Sequence, residues 1–383
     1  YEITTRLVGS EMCIRDRSRM KRQVLIVPIL SCVLFTACFP ASKSAHPQNN
    51  MSSLNVEEMN QSPYDNLTYQ FSIPENYTQN IPEVQCKLKL FEGKDMESLF
   101  FGNTKQVYQK EETSESMYIP GKDYYHLYQT QDNTTLCYDA GSILYATEKS
   151  DDYYGYFAYY YDLSCSEENM RVLMPEKELD TFSSTDALAY MQNLIETLDL
   201  PVASTPEIYA LNQNCVENAK TNVGVDIPWD DEADAYMLVY LTEIDSVAAA
   251  NYTISSSVSD MTEGRPSKLV SVFSKNGLEY LECSYAMEQT EEGDSSQICS
   301  PEQAIERVKS HMESMAVNED ESKGTETLSG CSLKWNVLEQ KEDVLQLQPV
   351  WVFILDSVLP NNDGTSTHYY STICVDALTG ELY

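Results

Sequence analysis

The chain has 383 residues, and its 60 Asp and Glu outnumber 25 Lys and Arg, a formal charge of −35 at pH 7. Proteins that grip DNA or RNA need basic groups to displace counterions from phosphate, so this acidity excludes nucleic acid as a partner. The length exceeds one ordinary core and predicts two or three domains of roughly 100 to 150 residues each.

Residues 1–19 open on Tyr1 and stand upstream of a stretch that needs a positive N-terminus of its own. They read as a non-native leader, and Leu7 to Arg17 resembles translated adapter sequence. Residues 20–37 read as a secretory signal: Lys21 and Arg22 form a basic start, and an apolar run from Val24 to Ala37 follows. That run has 14 residues, whereas a helix needs about 20 to cross a hydrocarbon core of ~30 Å.

The signal ends on Leu34-Phe35-Thr36-Ala37-Cys38, which resembles the lipobox of bacterial lipoproteins, with Phe35 where Leu is usual. The resemblance implies that Cys38 becomes the first mature residue, carries lipid on its thiol, and anchors the protein to the outer face of the cell membrane. The alternative is cleavage further on, near Ala41 or Ala45, without lipid. Residues 38–61, rich in Ser, Asn, Gln and Pro, bury too little apolar surface to order themselves and read as a flexible tether.

From residue 62 to 180 the pattern is mostly of period two, which predicts a β-rich domain. Leu67, Tyr69, Phe71 and Ile73 alternate with polar neighbours, as do Val84, Cys86, Leu88 and Leu90. Asp95 is placed to cap a short helix that Gly102 closes. Two short strands, Leu136 to Tyr138 and Ile143 to Tyr145, meet at Asp139-Ala140-Gly141-Ser142, where Gly141 supplies a positive φ. The run Tyr153 to Tyr161 places Tyr154, Tyr156 and Tyr160 on one face. Such rings either pair across strands in a half-exposed sheet or stack on sugar or peptide faces.

The remainder reads as two copies of one unit, residues 181–298 and 299–383. Each begins with a serine-capped amphipathic helix, Met191, Ile195 and Leu198 marking the buried face of the first and Val308, Met312 and Met315 that of the second. Pro301 takes the first helical position, where its missing N–H does no harm. Each helix is followed by an apolar strand, Ala235 to Leu241 or Val350 to Leu355, then a polar excursion and a returning strand. Helix followed by antiparallel sheet makes the fold class α+β, a β-rich N-terminal domain ahead of two repeated helix-plus-antiparallel-sheet modules.

Ser300, Pro301, Glu302 and Ala304, the strand Pro349-Val350-Trp351-Val352-Phe353, and the ending Val375-Asp376-Ala377-Leu378-Thr379-Gly380-Glu381 are similar to PepSY-like domains and the related YycI-like and YpeB-like envelope modules. The first copy ends on Phe273-Ser274-Lys275-Asn276-Gly277 and shares only the layout. The mature chain also resembles uncharacterised lipoproteins of Gram-positive gut bacteria. Such modules are associated with protease inhibition or the regulation of sensor kinases, and none brings a catalytic constellation. The run from Asp376 to Gly380 reads as a turn.

Eight cysteines remain beyond Cys13, Cys32 and Cys38, none in a C-x-x-C pair, so neither a zinc knuckle nor a thioredoxin-type couple is indicated. Outside the membrane an even number permits disulfides, and Cys331 with Cys374, both in predicted strands of one module, is the pairing expected; buried reduced thiols are the alternative. No G-x-S-x-G, H-E-x-x-H or phosphate-cradling glycine loop is present. The four histidines, His46, His126, His311 and His368, are far apart in sequence. Asp226, Asp230, Asp231 and Asp234 offer carboxylates for Ca²⁺, but their spacing departs from an EF-hand loop, and a solvated loop is the other reading.

These observations predict a lipid-anchored extracytoplasmic protein that binds an envelope protein or peptide in a regulatory or inhibitory role, without catalysis and with no cofactor. A solute- or glycan-binding lipoprotein using Tyr154, Tyr156 and Tyr160 is the alternative, and a secreted hydrolase with an unrecognised site the third.

Overall fold

Apolar residues at alternate positions along most of the chain call for sheets, and few stretches have the three-to-four spacing of a buried helix face. A computed structural model describes residues 56–75, 77–102, 108–150, 174–223, 229, 233–251, 266–316, 324–341, 344–360 and 366–382, all within one compact unit. In chain order, α1 (Val56–Met59), β1 (Leu67–Gln70) and β2 (Asn80–Leu88) precede α2 (Met96–Phe101). A run of strands follows: β3 (Tyr108–Glu115), β4 (Asp123–Thr130), β5 (Thr135–Asp139) and β6 (Ser142–Ala146). Next come α3 (Thr185–Leu198), β7 (Glu207–Leu211), α4 (Gln213–Val223), β8 (Ala235–Leu241), β9 (Glu243–Ile244) and β10 (Val247–Ala248). The chain continues through β11 (Lys268–Ser274), β12 (Gly277–Ser284) and β13 (Met287–Gln297), then α5 (Pro301–Ala316), β14 (Thr325–Lys341), β15 (Val344–Pro360) and β16 (Ser366–Asp376).

The molecule is mostly β, with helices laid on sheets, in keeping with the α+β class. One sheet has eight strands in the order β3-β4-β5-β6-β12-β11-β8-β7. A second has six, in the order β1-β14-β15-β2-β13, with β16 also paired to β15, and β9 and β10 form a two-stranded sheet of their own. Strands from residues 62–180 therefore enter both larger sheets. β1 and β2 join β14 and β15 at the other end of the chain, and β6 pairs with β12. The sheets cross the domain boundaries expected from sequence, because strand alternation marks a buried face and does not name the neighbour.

The helices cover the sheets through the predicted faces, with two shifts. On α3 the buried residues are Ala187, Met191, Leu194 and Leu198, packed on Leu238, Leu269 and Leu281, while Ile195 is half-buried. On α5 they are Pro301, Ala304, Ile305, Val308 and Met312, the last four packed with Trp335, Trp351 and Phe353, while Met315 is exposed. The caps differ too. Ser300 and Gln303 make a reciprocal capping box, Gln303 N–H donating to Ser300 Oγ at 3.3 Å and Ser300 N–H to Gln303 Oε1 at 2.9 Å. Ser184, at the N-cap of α3, makes no side-chain cap bond.

The local turns follow their sequences. Asp95 accepts from Ser98 N–H at 3.0 Å, and Gly102 ends α2 with φ 73°. Asp376 Oδ1 accepts from the N–H groups of Leu378 and Thr379, and its carbonyl accepts from Gly380 N–H, so Asp376 to Gly380 is a turn. Gly141, with φ 67°, sits where the two sheets meet. Its N–H donates to Lys89 O at 2.8 Å and its carbonyl accepts from Ala286 N–H at 2.8 Å. A Cβ there would lie 2.8 Å from both Ala286 O and Leu88 Cδ2, so only glycine fits the junction.

The disulfide expectation is corrected. Cys331 and Cys374 are free thiols, as are Cys86, Cys137, Cys215, Cys283 and Cys299. Cys331 packs in the core under α5, whereas Cys374 packs with Ala250, Val350 and Val352 on the opposite face of the sheet. They also stand on strands either side of β15, about 10 Å apart at the ~4.8 Å interstrand spacing, beyond the ~7 Å limit for bridged Cα atoms.

Candidate functional site

β14 is the strand that makes a cleft. Its outer edge pairs with β1 from Glu326 to Ser329, and a single bridge joins Trp335 to Ala249 further on. Between Ser329 and Trp335 no strand pairs with that edge among the described residues. The interruption has a local cause. Gly330 takes φ 74°, and the register to β15 slips between Ser329 and Ser332, so Gly330 and Cys331 form a bulge that turns β14 away from β1.

The opening is a cleft of about 820 Å³. One wall is formed by Ser72 to Glu75 and Tyr77 to Gln79, the other by the hairpin of β9 and β10, and the floor is Cys331, Ser332 and Leu333. The first wall leaves β1 after Phe71, which stacks on Tyr69 at 5.2 Å and meets Phe353 edge-on at 5.8 Å. It is held again by Tyr77, whose ring stands edge-on to Trp351 at 5.4 Å. The hairpin turns on Asp245 and Ser246, with φ 50° and 64°. Buried Trp335 fixes it: Nε1 donates to Ile244 O at 2.9 Å, and its carbonyl accepts from Ala250 N–H at 2.9 Å.

That last bond sets the direction of the floor. Backbone groups alternate sides along a strand, so with the Trp335 carbonyl turned outward the N–H and C=O of Leu333 are also turned outward, into the cleft. The cleft floor thus offers peptide hydrogen-bonding groups. It does not offer an activated thiol. Burial pushes the Cys331 thiol well above its ordinary range, with Glu302 and Cys299 adding to the effect, and burial lifts Cys299 to about 11. A thiol held protonated is a poor nucleophile. Tyr77 is raised first by burial and then by Glu302, Cys299 and Cys331. His126, His311 and His368 stand on β4, α5 and β16, and none lines the cleft.

Of the sequence-predicted site residues that are described, Cys331 lines the cleft floor, and Cys374 and Asp234 do not line the cleft. Cys38, Tyr154, Tyr156, Tyr160, Asp226, Asp230 and Asp231 lie outside the described residues. Asp234 is described, and its carboxylate accepts from Thr181 Oγ1 at 2.9 Å and from Trp229 Nε1 at 3.4 Å. Among the described residues no group of three or more His, Cys, Asp or Glu is arranged to hold a metal ion. The cleft itself was missed by sequence reasoning. Two signals point to it: a glycine inside an alternating strand at Gly330, which marks a bulge, and the polar pair Asp245-Ser246 between Ile244 and Val247-Ala248, which marks a hairpin.

No family model matches this chain, and no curated protein matches it. Among solved structures it is similar to an uncharacterized protein from Eubacterium rectale ATCC 33656, with a TM-score of 0.61 and 15% identity over 84% of this chain and 92% of that one. The likeness is one of fold.

Proposed function

We propose that this protein is anchored by lipid on Cys38 to the outer face of the cell membrane and binds an extended segment of another envelope protein or peptide, in a regulatory or inhibitory role without catalysis. The observation that carries the reading is the outward backbone edge of β14 at Leu333, on the floor of a walled cleft, where no strand pairs among the described residues. An extended guest gains main-chain hydrogen bonds there, as in strand addition, and the walls select its side chains. On this reading residues 181–298 and 299–383 are two PepSY-like modules. Their layout supports it: α3 precedes the antiparallel row β7-β8-β11, and α5 precedes the antiparallel row β14-β15-β16.

Photocrosslinking in the native envelope tests the reading. A benzophenone amino acid replaces exposed Thr78 on the cleft wall, and in a second strain exposed Glu112 on β3. The expected outcome is a discrete crosslinked polypeptide from position 78 and none from position 112, with Cys38→Ala releasing the complex from the membrane. Equal, diffuse labelling from both positions would overturn the cleft as a binding site, and unchanged membrane retention of Cys38→Ala would overturn the lipid anchor.

A further inference from the structure

The cleft has a charge as well as a shape. Its lining includes Glu75 on one wall and Glu243 on the other, both exposed, and no Lys, Arg or His. Neither carboxylate has an ion-pair partner among the described residues. The rest of the lining is uncharged at neutral pH and includes the hydroxyls of Ser72, Thr78, Ser246 and Ser332 beside the apolar Ile73, Val247 and Leu333. A guest strand on the floor presents alternate side chains to the two rims, since successive residues of a strand point to opposite sides. An acidic guest would bring like charges against Glu75 and Glu243 with nothing to offset them, and a basic guest meets each with an opposite charge.

We infer that the occupant of the cleft is an extended cationic peptide segment, its main chain bonded to the outward edge of β14 at Leu333 and its Lys or Arg side chains set against Glu75 and Glu243. This rests on the strand-addition reading and adds the chemistry of the guest. The same chemistry distinguishes it from general attraction to a chain of net charge −35, because only two carboxylates of 60 acidic residues are assigned the role. The hairpin that carries Glu243 is held by Trp335, so that charge has a fixed place over the floor.

The test uses the full chain and three synthetic octapeptides in which Lys, Gln or Glu alternates with Val and Thr, with binding read by calorimetry at two salt concentrations. The Lys peptide is expected to bind about fivefold more tightly than the Gln peptide, and the Glu peptide least, given the modest strength of rim ion pairs. Glu75→Gln with Glu243→Gln should erase the preference for Lys over Gln and leave the Gln peptide's affinity unchanged. Glu291→Gln with Glu292→Gln, on exposed β13, should erase nothing. Methylating the guest's backbone nitrogens on its bonding face should abolish binding of the Lys peptide. If the Lys and Gln peptides bind alike, the cationic guest is overturned and strand addition stands. If no peptide binds, both fall. If the double variant still prefers the Lys peptide over the Gln peptide, or the methylated form still binds, the attraction is diffuse charge and the inference is overturned.

Discussion

Under α3 the eight-stranded sheet is closed on both faces, and under α5 the six-stranded sheet is left partly open. In the first, every residue of β11 is buried, as are six of the seven in β8, because α3 covers one face and Cys215 and Val216 of α4 help cover the other. Their sequences, KLVSVFS and AYMLVYL, are accordingly near-continuous apolar runs. In the second, the face under α5 is a broad aromatic and aliphatic core, while the opposite face gathers only Ala250, Val350, Val352 and Cys374. The far end of β15 is exposed at Leu359 and Pro360, and among the described residues no strand pairs with the outer edge of β14 beside its bulge. Two similar helix-and-strand layouts thus end differently: among the described residues only the first has a second covering layer, and the second carries the cleft.

The largest test of that contrast is Trp335→Ala. Trp335 is fully buried and also ties the hairpin to β14, so its loss should cost about 3–5 kcal/mol in urea unfolding. Hydrogen exchange should show the hairpin Glu243 to Ala248 deprotected beyond this general loss. Met191→Ala, in the core under α3, should cost about 2–5 kcal/mol with no added deprotection there. Equal hairpin exchange in both variants would show that Trp335 does not fix the cleft wall.

A smaller effect is expected from alkali. Burial lifts the thiols of Cys86, Cys283 and Cys374 from an ordinary 9.0 to about 12, with Asp245 and Glu282 adding to the first two and Thr372 opposing the last. Above pH 9 the unfolded chain releases these protons and the folded one keeps them, so the unfolded state binds fewer protons and stability falls as pH rises. The contribution is whole below about pH 9 and shrinks by about 1.4 kcal/mol per thiol for each pH unit above it, up to about pH 12. Urea midpoints at pH 8, 9 and 10 should trace this decline, and Cys283→Ala should remove the share of the closed sheet while Cys86→Ala removes a share of the open one. A midpoint independent of pH across that range would contradict the burial.

The smallest effect separates the caps. Ser300→Ala breaks a reciprocal box and should destabilise by about 1 kcal/mol. Ser184→Ala removes no cap bond to the helix and should fall well short of that, its remaining cost coming from a 3.2 Å bond to Glu178. Equal losses would mean that the two helix starts are alike after all.

Much of the local structure was legible. The capping box at Ser300, the turn at Gly141, the Asp376 turn and the buried stripes of α3 and α5 each depend on residues within a few positions of one another, and those spacings are written in the chain. α4 was missed, and its sequence QNCVENAKTNV shows why: its apolar residues are few and sparsely spaced among polar ones, which leaves a weak periodic signal. The Cys331–Cys374 pairing failed for a related reason, since shared strand character does not say which face a thiol occupies.

What the sequence determined by itself was the kind of element at each place, the acidic surface and the side chains that mark faces, caps and turns. Only the tertiary structure decided that β1 and β2 leave their sequence neighbours for β14 and β15 and that, among the described residues, no helix faces α5 across its sheet and no strand pairs with the outer edge of β14 between Ser329 and Trp335. The physical reason is that strand periodicity encodes which side of a residue is buried, whereas pairing is settled by contacts between segments distant in the chain, and an unfilled edge is the place where those contacts stop.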